Sequence, residues 1–260
     1  METKTKTVRI RQVPAVTRAV SILRELGRAD QPLGVNHLAR ILNLVPSTCL
    51  HILRALHEEG LVELDPVTRR YKVGLGILAL ARSAIKRNDF TACVQPELNV
   101  LSKKFNLAAT ATQLTDPWNM MIVAASQSRM PFTLQVDLGS RFPALISATG
   151  RCLAAFNDID ADELQTRFWQ LIWSRPPAFE DWKAEVEATR KTGFGVDPGN
   201  YMSGVTVVAV PIFDDENRVG RSIITIGMTE HIREIGVPVL AEALMEIRER
   251  ISAQDVGGKL

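Results

Sequence analysis

A chain of 260 residues with 46% hydrophobic and 23% charged residues has the composition of an ordinary globular protein and the length for two modest domains or one large one. No apolar run approaches the roughly 20 residues of a membrane-crossing helix; the longest uncharged stretch, Pro198 to Phe213, is broken by Gly199, Asn200, Ser203, Gly204 and Pro211. The net charge of +2 hides an uneven distribution, with 15 Lys or Arg against 7 Asp or Glu in residues 1–88 and 16 against 22 in the remainder.

Met1 to Val13 carries Lys4, Lys6, Arg9 and Arg11 and reads either as a basic flexible arm for phosphates or a minor groove, or as a solvated tail. Pro14 opens a helix with the stripe Val16, Ala19, Val20, Leu23 and Leu26, closed by Gly27. A second helix repeats Val35, Leu38, Ala39 and Leu42 on one face, and Asn43-Leu44-Val45 makes a turn. Pro46 and Ser47 give the start signal for a third helix, with Ser47 able to cap free amides. In that helix Cys49, Ile52, Leu53 and Leu56 face a core, and Ser47, Leu50, His51 and Arg54 face outward. Gly60 ends it, and Leu61 to Leu64 and Arg70 to Val73 form two short strands around Asp65-Pro66.

Helix, turn, helix and basic hairpin is the order of a winged helix-turn-helix, which places its second helix in a DNA major groove. A plain α+β core would show the same pattern, and fold alone does not give function. The positive excess in residues 1–88 favours DNA, because cations on phosphates release counterions. Ser47, Thr48, His51 and Arg54 are then expected to touch base edges, with Leu50 against a thymine methyl. Arg69 and Arg70 near the wing tip, and Lys72, suit phosphate or minor-groove contact.

After Gly74-Leu75-Gly76, a helix over Ile77 to Arg87 presents Leu78, Ala81, Ala84 and Ile85 on one side, within a linker of residues 75–94 that either dimerises the chain or packs on its own sheet. From residue 95 the texture is mixed. Pro96 to Phe105 reads as helix, 108–115, 119–127 and 131–137 as strands, and Thr149 to Phe156, Asp160 to Ile172 and Glu180 to Thr192 as helices. Val205 to Phe213 and Val219 to Met228 read as a hairpin of buried strands, and a last helix runs from Pro238 to Ala253. Strands clustered in pairs argue for an antiparallel sheet covered by helices.

Thr149-Gly150-Arg151 begins a helix, and helix starts attract anions. With Gly139, Thr206 and Ile226 on adjoining segments this is the candidate effector pocket, walled by Trp118, Met120, Phe132, Phe142 and Met202; such wall residues are more often core than ligand wall. The combination suits a small organic acid, aromatic acids among them. No catalytic residue, metal or cofactor is expected. His37, His51, His57 and His231 lack metal spacing, the odd Cys49, Cys93 and Cys152 lack both a disulfide framework and a partner base, and no Gly-x-Ser-x-Gly or Gly-x-x-x-x-Gly-Lys motif occurs. With no apolar core of a signal peptide at its start, the chain is expected in the cytoplasm. The alternatives are an enzyme with an appended DNA-binding domain and a ligand-independent DNA binder; the length of the second domain opposes the latter.

The chain resembles the isocitrate-lyase-regulator (IclR) family of bacterial transcription regulators along nearly its whole length. The resemblance is carried by Pro46-Ser47-Thr48 with Leu53 and Leu56, Glu59-Gly60-Leu61-Val62 and Tyr71-Lys72-Val73-Gly74-Leu75-Gly76. In the second domain it is carried by Gly139-Ser140-Arg141 with Pro143, Ala148-Thr149-Gly150-Arg151 with Leu153-Ala154, Gly193-Phe194-Gly195, and Gly204-Val205 followed by Ala209-Val210-Pro211-Ile212 and Asp214. Their order and spacing together are specific. The resemblance implies an α+β chain with a winged helix-turn-helix over residues 14–74, a linker helix, and a GAF-like α/β sensory domain with an antiparallel sheet over residues 95–260. It also implies dimers or tetramers of paired dimers on a pseudo-palindromic operator, and a small metabolite that alters DNA binding or polymerase recruitment. Two residues depart from the family pattern. His51 stands where the family usually has Arg, and Arg151 where it commonly has Lys.

Overall fold

The computed structural model describes residues 13–86, 89–126 and 137–257, in two compact units, residues 1–87 and 88–260. Residues 1–12 of the basic arm and residues 131–136 of the expected strand, Phe132 among them, lie outside the described residues.

The first unit packs α1 (Pro14–Arg28), α2 (Val35–Ile41) and α3 (Pro46–Glu58) against the hairpin of β1 (Val62–Leu64) and β2 (Tyr71–Val73), and continues into α4 (Gly76–Lys86). Its core is Ile22, Leu26, Leu38, Ala39, Cys49, Leu53, Leu56, Val62 and Tyr71. Tyr71 and Leu33 exchange two backbone hydrogen bonds of 2.8 Å, so the stretch before α2 pairs with the wing. Two local expectations are corrected here. α1 buries Ile22 and Leu26 with Ala19 and Leu23 beside them, and leaves Val16 and Val20 exposed, so the inward stripe is turned about the helix axis from the expected one. Ser47 does not cap α3. The extended Val45 is the N-cap, Pro46 takes the first helical position, and no side chain caps the start.

The second unit is a six-stranded sheet in the order β5-β4-β3-β8-β7-β6, every neighbouring pair antiparallel. The strands are β3 (Ala108–Asp116), β4 (Asn119–Ala125), β5 (Arg141–Pro143), β6 (Gly195–Asp197), β7 (Val205–Phe213) and β8 (Val219–Met228). The helices are α5 (Asp89–Phe105), α6 (Ser147–Phe156), α7 (Ala161–Trp169), α8 (Phe179–Thr192), α9 (Thr229–Ile235) and α10 (Val237–Gly257). β5, β6 and α9 had no counterpart in the sequence reading.

α5 and α10 cover one face of the sheet with Phe90, Val94, Leu98, Leu101, Leu240, Leu244 and Ile247 against Ala109, Val208, Val210 and Ile223. The other face meets α6 through Ala108, Ala148, Cys152, Val205, Val207, Ala209, Ile224 and Ile226. β7 and β8 read as near-continuous apolar runs because both faces of these strands are covered. α5 runs through Pro96, which the sequence reading made its start. An interior proline costs about 3 kcal/mol. The stripe Phe90, Val94, Leu98 and Leu101 continues across it, and fully burying one such side chain contributes about 1.5–3 kcal/mol. α8 closes on Gly193 at φ +82°, a left-handed stop that glycine reaches without strain.

Leu53 is fully buried in the first unit's core. Leu53→Ala is expected to destabilise that unit by about 2–5 kcal/mol in urea titration.

Candidate nucleic-acid face and small-molecule site

The two sides of α3 divide largely as the sequence predicts. Cys49, Leu53 and Leu56 are buried, Ser47, His51 and Arg54 are exposed, and Thr48 lies half-buried at the margin with Ile52, expected in the core, and Leu50, expected to face outward. With no capping side chain, the first-turn amides of Ser47 and Thr48 are left for an anion such as a DNA phosphate. His57, at the far end of α3, has Nδ1 3.0 Å from the Val62 carbonyl, so Nδ1 carries the proton and ties the helix to the wing.

Asp65 organises the wing tip. Its carboxylate accepts from the Val67 and Thr68 amides at 2.8 and 3.2 Å and from the Thr68 hydroxyl at 2.7 Å. Those bonds, the Thr68 hydroxyl first, hold its pKa below the usual carboxylate range. The fixed turn puts Arg69 at φ +57° and leaves Val67 88% exposed at the tip, a residue the sequence reading passed over because exposure of a lone valine has no local signal. Arg54, Arg69 and Arg70 make no ion pair among the described residues. Lys72 differs from them. Its ammonium lies 3.0 Å from Glu63, its cross-strand partner, and holds that carboxyl's pKa down. A phosphate approaching Lys72 must compete with Glu63.

In the second unit α6 is buried along almost its whole length. The chain enters it through Ser147, at φ +62°, and Gly150 presses so close to Leu145 that an added Cβ would lie 1.9 Å from the Leu145 carbonyl oxygen. The N-cap is Ile146, which offers no side-chain acceptor. The first intrahelical bond is from the Gly150 amide to the Ile146 carbonyl at 3.0 Å. Ser147, Ala148 and Thr149 are 6%, 0% and 1% exposed, and no acceptor meets their amides among the described residues. Three buried donors at a helix start can serve a negatively charged or carbonyl oxygen.

Arg151 does not point into that site as a free cation. It is 0% exposed, and every guanidinium nitrogen is used. Nε donates to Glu185 at 2.7 Å, Nη1 to the Ser147 carbonyl at 2.9 Å, and Nη2 to Asn200 Oδ1 at 3.1 Å and to Glu185. Asn200 is presented by a loop shaped by Asp197, itself buried, whose carboxylate accepts from the amides of Gly199, Asn200 and Tyr201. Arg151 therefore clamps the left-handed Ser147 between α6, α8 and this loop.

The other residues grouped with this pocket by sequence fall in separate places. Thr149 turns its hydroxyl back to the Ile146 carbonyl at 3.1 Å. Ile226 belongs to the cluster around Ala148, and Thr206 is bonded to Thr229 at 3.0 Å. Met120, Trp118 and Phe142 pack instead with Leu145, Phe168 and Trp182, and Trp118 carries the Arg167 guanidinium 4.6 Å above its ring. Gly139 is exposed in a turn at φ +84°, and Met202 is exposed as well. A separate open cleft of about 670 Å³ lies beyond the other end of α6, lined by Trp118, Asn157, Asp160, Asp214 and Arg218 among others.

Comparison with known proteins follows this division. The family model described as "IclR helix-turn-helix domain" matches residues 15–66, and that described as "Bacterial transcriptional regulator IclR C-terminal" matches residues 82–253. The chain is similar to the glycerol operon regulatory protein of Streptomyces griseus, 26% identical over 254 residues, covering 95% of this chain and 98% of that protein. It is similar to the HTH-type transcriptional repressor AllR of Escherichia coli K12, 23% identical, covering 85% and 82%. Among solved structures it matches an IclR transcriptional regulator from Alicyclobacillus acidocaldarius at 26% identity, TM-score 0.82, covering 94% of this chain and 99% of that one. An IclR homolog from Microbacterium hydrocarbonoxydans, complexed with 4-hydroxybenzoate, shares the fold at 15% identity and TM-score 0.74, covering 92% and 99%.

Two outcomes test the α6 geometry. Arg151→Met removes the clamp and is expected to destabilise the second unit by about 2–4 kcal/mol in urea, below the full value for a sealed pair because Glu185 is partly solvated. Burial pushes the Cys152 thiol up to about 12, so at pH 8 it stays protonated. Native protein treated with a maleimide should label Cys93, which is part-exposed, and label Cys152 only after unfolding, as read by peptide mass.

Proposed function

The chain belongs to the IclR family of bacterial transcription regulators, and from that premise we propose that its first unit reads a pseudo-palindromic operator as a dimer while its second unit binds a small organic acid that alters DNA binding or transcription. DNA binding through the helix-turn-helix is what the family does; the residues and the ligand are our assignment. The chain is a regulator rather than an enzyme, in line with relatives that are named as regulators.

The observation that carries the DNA reading is the exposed face of α3. Ser47, His51 and Arg54 stand free there, while the opposite face closes the core. His51, shorter than Arg and able to present one ring nitrogen as an acceptor, reads a base differently from a bidentate guanidinium, so the operator should depart from those of Arg-bearing relatives. Self-association is supported by apolar side chains left uncovered in the first unit, namely Val13, Val16 and Val20 on and beside α1 and Leu75, Leu78 and Leu80 on and beside α4. A two-fold dimer places two α3 helices about one DNA turn apart, and paired dimers would give a tetramer. RNA polymerase is a further partner on this reading, and the cytoplasm the place of action. The effector reading is supported by the buried, acceptor-less start of α6 and by an organic acid bound in a protein of the same fold.

Genomic fragments selected by the purified protein should contain one or a few pseudo-palindromes. Arg54→Ala should weaken binding to them by about 1–3 kcal/mol and relax one base position. A loss of the same size on every sequence would make Arg54 a phosphate contact instead.

A further inference from the structure

We propose that the open cleft at the far end of α6 is a second small-molecule site, for a linear aliphatic polyamine laid along its apolar lining with its ammonium groups on the carboxylates of the rim. Space is the first constraint. The cleft holds about 670 Å³, inside the range of roughly 300–1,000 Å³ in which small molecules are bound. It is formed by the turn between β3 and β4, the passage from α6 into α7, and the turn between β7 and β8. Leu114, Leu153, Ile159 and Val219 line it and belong to one apolar cluster, so a hydrocarbon chain lying there takes apolar surface out of water on both sides. Asn157, also in the lining, exchanges hydrogen bonds of 2.9 and 2.7 Å with the Val219 carbonyl and amide, which fixes the end of α6 to the start of β8.

The second constraint is charge. Asp116, Asp158, Asp160, Glu163 and Asp214 meet the cleft against a single lining cation, Arg218. Arg218 is taken by Asp214 at 3.2 Å and Glu216 at 2.8 Å, and Glu163 has Arg167 at 3.6 Å. Asp116, Asp158 and Asp160 form no ion pair among the described residues. Asp116 accepts from the Asn119 side chain and the Trp118 amide, and these bonds hold its carboxyl below the usual range, so it stays charged. Asp160 gives one oxygen to the amides of Asp162 and Glu163, which answers the positive start of α7 and leaves its second oxygen for a ligand. The negative end of the α6 dipole adds to the same sign. Trp118 shows what such a wall accepts, since the Arg167 guanidinium already lies 4.6 Å from the centre of its ring.

The third constraint is spacing, and it separates an organic cation from a metal ion. No three His, Cys, Asp or Glu side chains among the described residues converge closely enough to hold a metal. The carboxylates stand instead on separate segments around an apolar lining, which matches charges spread along a flexible chain. A compact dication would meet one carboxylate and leave the lining wet. A monoamine would cover the lining and answer only one charge. A polyamine does both.

The test is calorimetric titration of the full chain, free of DNA, with spermidine, butylamine and magnesium chloride at about 0.15 M ionic strength, where diffuse surface attraction is screened. It is repeated on Gly220→Phe and Asp158→Asn, with melting temperatures recorded for each. Spermidine is expected to bind about tenfold more tightly than butylamine, as two further exposed ion pairs allow, and magnesium to give no binding heat. Gly220 lines the cleft and has open space where a Cβ would stand, so Gly220→Phe should fill the cleft, keep the melting temperature and abolish binding. Asp158 makes no hydrogen bond or ion pair among the described residues, so Asp158→Asn should leave the fold intact and weaken spermidine about threefold. Unchanged spermidine affinity in a folded variant of either kind would place the polyamine elsewhere and overturn the site. Butylamine or magnesium binding as tightly as spermidine would overturn the ligand class, and no heat from spermidine at millimolar concentration would overturn the proposal outright.

Discussion

A guanidinium sealed from water has to find its whole hydrogen-bonding complement inside the protein, and Arg151 sets that requirement for the second unit. It is met from three directions at once. Glu185 arrives from α8, Asn200 from the loop that Asp197 shapes, and the Ser147 carbonyl from the entrance of its own helix. None of the three can move far without leaving a buried charge unpaired. The requirement therefore fixes the angle at which α6 begins, and the direction of the three amides in its first turn. Arginine is better suited to this than lysine, because a planar fork serves several acceptors where an ammonium acts as a point charge.

The first unit is governed by a different economy. One helix, α3, must both complete a small core and leave a polar face unobstructed, and its sequence alternates the two duties every three or four residues. Leu50 and Thr48, half-buried, mark the boundary between them. The wing adds free arginines at one side, Arg69 and Arg70, and a lysine at the other already engaged with Glu63. Charge on this surface is thus graded, and a simple count of basic residues overstates what is available to phosphate.

How much of this could be read from the chain depended on whether the cause was local. The period of Cys49, Leu53 and Leu56 is local, and so were the hairpin of β7 and β8 and the glycine stop at Gly193. α1 was misphased because Val16 and Val20 look like core residues whether they face a core or a partner. Ser47 resembles a cap, but Pro46 after an extended Val45 had already settled where the helix starts. Pro96 misled because a proline break is outweighed only when the stripe on both sides of it is buried, which is tertiary information. The side-chain partners of Arg151 lie 34 and 49 residues further along, and nothing near Arg151 announces them. Trp118, Met120 and Phe142 were grouped with Ile226 because the sheet order, β4-β3-β8, was not visible in the chain. Position in that order decides which apolar cluster a side chain joins.

The acidic residue at the wing tip has an effect beyond its own bonds. A loop that must be ordered when it meets its partner subtracts that ordering from the free energy of association. Asp65, by holding Val67 and Thr68 through three hydrogen bonds in the free protein, moves the loss into folding, where the whole first unit shares it. A negative charge placed on an otherwise basic surface looks like a liability for a partner that is itself negative. On the proposed DNA reading, its role is to make the wing a rigid probe, with Arg69 and Arg70 already spaced for a groove.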